Sequence, residues 1–169
     1  KPQSSEKLRA ELESVSKNAE TRSLLYKSQV RMVSRQESVK ELIRYRYENG
    51  SLDGLSENYE TGEAYPSLLG ERPDYARTQS YFNEVASTRP EIEMIRVFWD
   101  DGNVLTGYKL GEEDTRDYKG DKIWFSKTMN RTEVGKDEVY VSKINIARAT
   151  DSPAIRYATP VEVNGETIP

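Results

Sequence analysis

The sequence contains no cysteine and no histidine among its 169 residues. Because cysteine is missing, a disulfide, a thiolate nucleophile and a cysteine-bound zinc ion are all excluded. Because histidine is missing, imidazole acid–base chemistry and histidine-containing metal sites are excluded as well. The 29 acidic residues form no recognisable catalytic motif. We therefore expect a non-catalytic chain that holds neither a metal ion nor a cofactor.

Hydrophobic residues are scarce, at 35% of the chain. A chain of this length ordinarily buries about two-thirds of the surface that its unfolded form exposes, so a lean core favours an elongated shape. No apolar run approaches the roughly 20 residues that cross a membrane. The net charge of -4, with both signs interspersed, opposes a role in binding nucleic acid.

Glycine and proline are absent from residues 3–49, which are rich in Glu, Lys, Arg, Ser, Leu and Val. This composition favours helix. Ser4 or Ser5 is a suitable N-cap, and Asn49 followed by Gly50 is a suitable stop. The sequence therefore predicts a long N-terminal helix over residues 1–49.

Two apolar stripes run along this predicted helix. A shift in the spacing of the apolar residues near Thr21 and Arg22 separates them. The first consists of Leu8, Leu12, Val15 and Ala19, and the second of Leu25, Met32, Val39, Leu42 and Ile43. Forty or so residues of helix span roughly 60 Å, which exceeds the width of a compact domain of this size. We expect the later half to pack on the sheet and the earlier half to extend.

Glycines and prolines reappear between residues 50 and 73, which predicts a long loop. A second, shorter helix is predicted over residues 74–87, with Asp74 at its N-terminus. Its predicted apolar face consists of Tyr75, Tyr81, Phe82, Val85 and Ala86.

Strand patterns dominate the last third of the chain. Residues 92–99 and 104–110 predict a hairpin around "DDGN", and residues 123–130 predict a short helix. Strands are predicted at residues 138–147 and 153–163, the second broken by Pro160, and the turn "NGE" leads to one more. Short links between consecutive strands predict an antiparallel sheet and an α+β fold.

Several pieces of this region carry a family resemblance. "YFNEVASTRPEIEMIRVFWDDGNVL" combines a helix, a short entry and a hairpin with a D-x-G turn. "DKIWFSKTMN" is an aromatic segment, and "VYVSKI" and "PAIRYATPVEVNGE" are later strands. In this order and spacing, residues 81–168 resemble the Cache domains, the PAS-like extracytoplasmic sensor domains of prokaryotic histidine kinases and methyl-accepting chemoreceptors. The long N-terminal helix is similar to the one with which members of that family rise from the membrane.

The resemblance implies a PAS-like antiparallel sheet of about five strands with a small ligand held beneath the aromatic segment. The expected division is a helix over residues 1–49, a loop over 50–73 and a sensor domain over 74–169. Because the chain starts at Lys1 rather than Met, we expect it to be a single-domain fragment of a longer membrane protein.

Members of that family with amino-acid ligands share a pattern of Tyr, Arg, Trp and Tyr, with a further Tyr one strand on. The matching positions here are Tyr118, Lys122, Trp124, Phe125 and Tyr140. Lysine stands in the place of arginine, and it cannot grip a carboxylate in the planar, bidentate way that arginine does. A small carboxylate, an amino-acid-like compound, another polar molecule and an empty pocket all remain open.

Other candidates come from strand alternation. Tyr140 and Ser142 share one strand face, so their hydroxyls are candidates for lining a pocket. Arg96 lies between Met94 and Phe98, on the face opposite to Val97, and either faces solvent or meets an anion. Tyr157 is a further candidate. The competing interpretation is that Trp124 and Phe125 plug the sheet while the polar groups are solvated.

These observations predict an extracytoplasmic ligand-sensing domain of a transmembrane receptor, non-catalytic itself. The output module of the parent chain, a histidine kinase or a chemoreceptor module, is left open by the sequence. We expect a homodimer formed through the N-terminal helix and a membrane anchor in the full-length protein. The alternative is a ligand-free dimerisation or spacer module of the same kind of receptor. A hydrolase is the least favoured reading, because no nucleophile motif is present.

Overall fold

The computed structural model describes residues 2–49, 72–100, 102, 104–113, 123–130, 139–147, 151–163 and 166–168. All but the last two residues of the predicted loop at 50–73 lie outside these ranges. The helices within them are α1 (Pro2–Ser34), α2 (Glu37–Asn49), α3 (Pro73–Thr88) and α4 (Ile123–Met129). The strands are β1 (Met94–Phe98), β2 (Val104–Lys109), β3 (Glu112–Glu113), β4 (Tyr140–Val141), β5 (Asn145–Ala147), β6 (Ser152–Ala154), β7 (Tyr157–Ala158), β8 (Val161–Val163) and β9 (Glu166–Ile168). The α+β class is confirmed.

The long N-terminal helix is divided in two, which corrects the expectation of one uninterrupted helix. The Ser34 hydroxyl donates to the Arg31 carbonyl at 2.7 Å, and the N–H of Gln36 donates to Val33 O at 3.2 Å, only three residues back. Hydroxyl bonds to the backbone and a tightened last turn are both known to end or bend helices. The break at Arg35 and Gln36 therefore needs neither glycine nor proline. Because α1 begins at Pro2, neither Ser4 nor Ser5 is its cap.

The two helices differ sharply in burial. Every residue from Ser4 to Arg22 is exposed, so this stretch extends about 30 Å as a solvated rod. In α2, by contrast, Val39, Leu42 and Ile43 are fully buried. Of the predicted second stripe, Leu25 and Met32 remain exposed, and Val33 is the residue of α1 that joins the core.

Helix α3 confirms the predicted second helix. It begins at Pro73, and Asp74 in its first turn contacts Arg77 with 3.2 Å between the carboxylate and guanidinium atoms. Its buried residues are Tyr75, Thr78, Phe82, Val85 and Ala86. The predicted face is thus nearly the observed one, with Thr78 added and Tyr81 only partly buried.

The β1–β2 hairpin is antiparallel and is covered on both faces. A bulge lies between Val97 and Phe98, and Gly102 occupies the turn with φ 90°, a conformation that favours glycine. Val97 and Trp99 join the core cluster with α2 and α3. Phe98 points to the opposite face, where it packs on α4.

Besides the core contacts, one polar side chain of α3 bonds to β2. Gln79 Nε2 donates to Thr106 Oγ1 at 2.6 Å and to the Gly107 carbonyl at 3.0 Å. Thr106 is fully buried and satisfied by this bond. Thr78, one residue before Gln79, is equally buried, yet its Oγ1 has no hydrogen-bond partner among the residues that the structure describes.

The later strands are shorter than predicted. Among the described residues, β1–β2–β3, β4–β7, β5–β6 and β8–β9 form four separate antiparallel sheets. A single PAS-like sheet of about five strands is not confirmed. The predicted strand at 138–147 is divided because Ser142 turns to bond Arg156: its N–H donates to the Arg156 carbonyl at 2.9 Å. The predicted final strand is present as β9, antiparallel to β8.

We expect Leu42→Ala to lower the free energy of unfolding by about 2–5 kcal/mol, because Leu42 is 1% exposed and its removal leaves a cavity. The matched control is Leu12→Ala on α1, where the leucine is 62% exposed; its effect should stay within about 0.5 kcal/mol. Urea unfolding followed by circular dichroism measures both. Equal losses in the two variants would contradict the assignment of α2, and not the start of α1, to the core.

Thr78 and Thr106, both fully buried, give a second matched pair. Thr78→Val removes a buried hydroxyl that lacks a partner, so we expect the protein to gain up to about 1 kcal/mol of stability. Thr106→Val deletes the acceptor of Gln79 and should lower stability by about 1 kcal/mol. The same urea titration distinguishes the two signs, and a loss in Thr78→Val as large as in Thr106→Val would show that the Thr78 hydroxyl is bonded.

Candidate functional site

A cavity of about 720 Å³ lies beside the hairpin and borders the core, because the core residues Val33, Val39, Val97 and Val161 are part of its lining. Its walls are the second half of α1, strand β1 with the segment that precedes it, helix α4 and the described strands between Ile144 and Val161, and Val39 of α2 and Val85 of α3 complete the lining. Small-molecule sites in proteins typically measure about 300–1,000 Å³. The cavity is therefore large enough for a metabolite, and its lining is mostly apolar.

One corner of the cavity is aromatic. The ring of Phe98 meets that of Trp124 at a centroid distance of 5.3 Å and that of Phe125 at 6.0 Å, both edge-on. The guanidinium of Arg156 lies 4.9 Å from the centre of the Trp124 ring, a cation–π contact. This corner offers an apolar wall beside a positive charge.

The charged residues of the lining are three arginines and two glutamates, namely Arg22, Arg96, Arg156, Glu91 and Glu93. Both carboxylates already accept a hydrogen bond from a hydroxyl. Tyr26 donates to Glu91 at 2.9 Å, and Ser152 donates to Glu93 at 2.7 Å. The described lining thus carries a net positive charge, with its negative groups held in place.

Tyr26 of helix α1 makes two contacts with the rest of the domain. Besides its bond to Glu91, the Tyr26 ring lies 5.4 Å from the ring of Tyr157. Burial, followed by the hydrogen bond to Glu91, raises the pKa of Tyr26. The pKa of Glu91 is lowered, first by its own backbone N–H and then by the Tyr26 hydroxyl. Tyr26 thereby stays protonated and able to donate the hydrogen bond, and Glu91 stays ionised and able to accept it.

The structure brings together half of the residues that the sequence singled out. Trp124, Phe125, Tyr157 and Arg96 all line the cavity, and Arg96 is partly buried rather than fully solvated. Lys122 and Tyr118 lie outside the described residues.

Tyr140 and Ser142 lie in the strand segment next to the cavity but do not line it. Ser142 serves the backbone, since its Oγ accepts the N–H of Arg156 at 2.8 Å and donates to the Lys143 carbonyl at 2.9 Å. Its hydroxyl is therefore engaged in holding Arg156.

Sequence reasoning missed four lining residues, which are Tyr26 of α1, Glu91 and Glu93 before β1, and Arg156 between β6 and β7. Tyr26 and Glu91 are 65 positions apart, and no local pattern joins them. A signal was available for Arg156, because it interrupts the apolar run of "PAIRYA" between Ile155 and Tyr157.

The described residues hold no group of three acidic side chains able to bind a metal ion. None of the described helices has a stretch long and apolar enough to cross a membrane. No protein-family model, curated protein or solved structure matches this chain. The interpretation of the cavity therefore depends on its own geometry.

The Tyr26–Glu91 bond has a pH signature. A lowered Glu91 pKa stabilises the fold above the ordinary pKa of the carboxyl, and this stability is lost as the pH falls through the lowered value. A raised Tyr26 pKa stabilises the fold below the ordinary tyrosine pKa and is lost as the pH rises through the raised value. We expect Tyr26→Phe to move the Glu91 pKa part of the way back to its ordinary value, because the backbone bond remains.

Carbon-13 NMR titration of the side-chain carboxyl groups measures this change. The control is Tyr47→Phe, which alters an exposed tyrosine at the end of α2 and should leave Glu91 unchanged. An identical Glu91 titration in wild type and Tyr26→Phe would show that the hydroxyl does not bond the carboxylate in solution.

Proposed function

We propose that this chain is the ligand-sensing domain of a transmembrane signalling receptor of the Cache type, placed outside the cytoplasm and non-catalytic itself. The observation that carries the proposal is the cavity of about 720 Å³ between the long helix α1 and the hairpin. A site for a small molecule in direct contact with a long helix is the arrangement that a receptor needs. The helix then links binding to whatever lies before it in the full-length protein.

The lining suggests the kind of ligand. An apolar body would pack against the corner formed by Phe98, Trp124 and Phe125, and a negative group would be attracted by the excess of arginine in the lining. A small amphipathic carboxylate meets both requirements. An α-amino acid is less favoured, because Lys122 and Phe125 depart from the pattern of the amino-acid-binding members.

Signalling in this proposal proceeds by differential affinity. A ligand that binds one position of α1 more tightly than another shifts the equilibrium between the two positions. In a membrane-anchored homodimer, such a shift in the N-terminal helices would pass to an output domain such as a histidine kinase or chemoreceptor module.

A second candidate is a ligand-free dimerisation or spacer module, and one observation favours it. An apolar stripe on α1 is not covered by any described residue. It consists of Leu8, Leu12 and Val15, which are 57%, 62% and 66% exposed. Pairing of this stripe with the same stripe on a second copy would use α1 without using the cavity.

A thermal-shift screen separates the two candidates. Purified protein is tested against small carboxylates, amino acids, amines and purines, and a ligand present at a hundred times its Kd adds about 2.7 kcal/mol of stability. We expect a carboxylate with an apolar body to raise Tm. The shift should vanish in Ala154→Phe, which fills the cavity from β6.

The matched control is Ala76→Phe, the same change at an exposed position of α3 that does not line the cavity. It should keep the full shift. A blank across the library, in a protein that remains folded, would favour the ligand-free module.

A further inference from the structure

We propose that α1 is a movable wall of the cavity, which pivots at Arg35–Gln36 and is held closed by a clasp formed by Tyr26, Glu91 and Tyr157. The proposal deepens the proposed function and rests on it for what the cavity binds. The motion itself does not depend on a ligand and is tested without one.

The helices on the two sides of the break differ in how firmly they are held. Beyond the break, α2 is fixed, since Val39, Leu42 and Ile43 are each at most 1% exposed and contact α3 and β8. Before it, Val33 is the one residue of α1 that is buried among those whose side chains the structure describes. A pivot between a fixed and a lightly held helix is the simplest way for the pair to move.

The backbone hydrogen bonds at the break are irregular. The N–H of Arg35 is shared between the carbonyls of Arg31, at 3.1 Å, and Met32, at 3.2 Å. Regular bonding resumes only when the Lys40 N–H reaches the Gln36 carbonyl at 3.1 Å. A rotation here therefore changes few regular helical bonds, whereas the same rotation inside α1 would break several.

Helix α1 forms one wall of the cavity. Tyr26, Gln29, Val30 and Val33 are on α1 and line the cavity, so a tilt of α1 about the break widens or narrows it directly. Tyr26 is about 14 Å along the helix from the pivot. Its hydrogen bond to Glu91 joins α1 to the segment before β1, and its ring contact with Tyr157 joins α1 to β7. Removal of the Tyr26 side chain takes away both of these contacts, whereas Val33, next to the pivot, remains in the core.

The geometry also amplifies the motion. Glu20 is about 22 Å from the pivot, so a tilt of about 10° displaces it by about 4 Å. The N-terminus of α1, about 50 Å from the pivot, would move roughly twice as far. A small change at the cavity thereby becomes a large change at the start of the chain.

Electron spin resonance distance measurement tests the clasp. Because the chain has no cysteine, Glu20→Cys and Ser80→Cys provide two unique spin labels, both at exposed positions, one on α1 and one on α3. We expect a single narrow distance distribution in the otherwise unchanged protein. Tyr26→Ala should broaden or shift it by about 4 Å, and Tyr26→Phe, which keeps the ring contact, should have a smaller effect.

Two controls make the result decisive. Tyr47→Ala changes an exposed tyrosine of α2 and should leave the distribution unchanged. Far-ultraviolet circular dichroism should show the same helix content in Tyr26→Ala as in the parent, because α1 tilts as a rod. An unchanged distribution in Tyr26→Ala overturns the clasp, and a broadened one with lost helix content overturns the pivot, since α1 would then melt instead of tilt.

Binding of the anionic fluorescent probe 1-anilinonaphthalene-8-sulfonate, measured on the same variants, separates this proposal from the proposed function. If the probe binds and Ala154→Phe abolishes its binding, while Tyr26→Ala leaves the spin-label distances unchanged, the movable wall is wrong and the binding site stands. If the distances change but no probe or metabolite binds, the wall moves and the sensing role is wrong.

Discussion

The structure depends on one constraint, which is that both faces of the β1–β2 hairpin are covered. Side chains of a strand alternate between faces, so Val97 and Trp99 join the core under α2 and α3 while Phe98 faces α4. The hairpin must therefore be apolar on both sides, and Val104, Leu105, Thr106 and Gly107 in β2 are all buried. One face is filled by helices, and the other is only partly filled. The cavity lies where this covering is incomplete, between the edge of the core at Val33 and Val97 and the aromatic rings around Phe98.

The low hydrophobic content follows from how unevenly the helices are used. Residues 4–22 contribute nothing to the core, so the buried residues are drawn from the rest of the chain. Arg46 shows how tightly that remaining core is packed, since it is 5% exposed and stacks on Trp99 at 4.9 Å. Such contacts allow the apolar part of a long charged side chain to pack in the core. The molecule thus combines a dense core beside α2 with a thin, extended α1.

The sequence predicts well whatever is determined within one element. The second helix, the hairpin with its Gly102 turn, the short helix at Trp124 and Phe125 and the alternation along β1 all follow from periodicity and turn residues. The break at Arg35–Gln36 was not predictable in this way, because no glycine or proline marks it. The break at Pro160 was predicted, but the division of the strand at 138–147 was missed, because the Ser142–Arg156 bonds and not local propensity set its ends. The Tyr26–Glu91 contact joins residues far apart in the chain, so only the tertiary fold reveals that α1 belongs to the site.

An apolar cavity of this size is itself a source of coupling. Its lining side chains lack the packing partners that a filled interior provides, which costs stability that neighbouring groups cannot recover without moving. Helices α2 and α3 are held by the core, whereas Val33 is the one residue of α1 that is buried there among those whose side chains the structure describes. A ligand that fills the space restores the missing contacts on the α1 side as well as on the β1 side. If α1 moves as proposed, the binding free energy of such a ligand is divided between holding the ligand and seating the helix. The affinity of the site and the position of α1 would then change together.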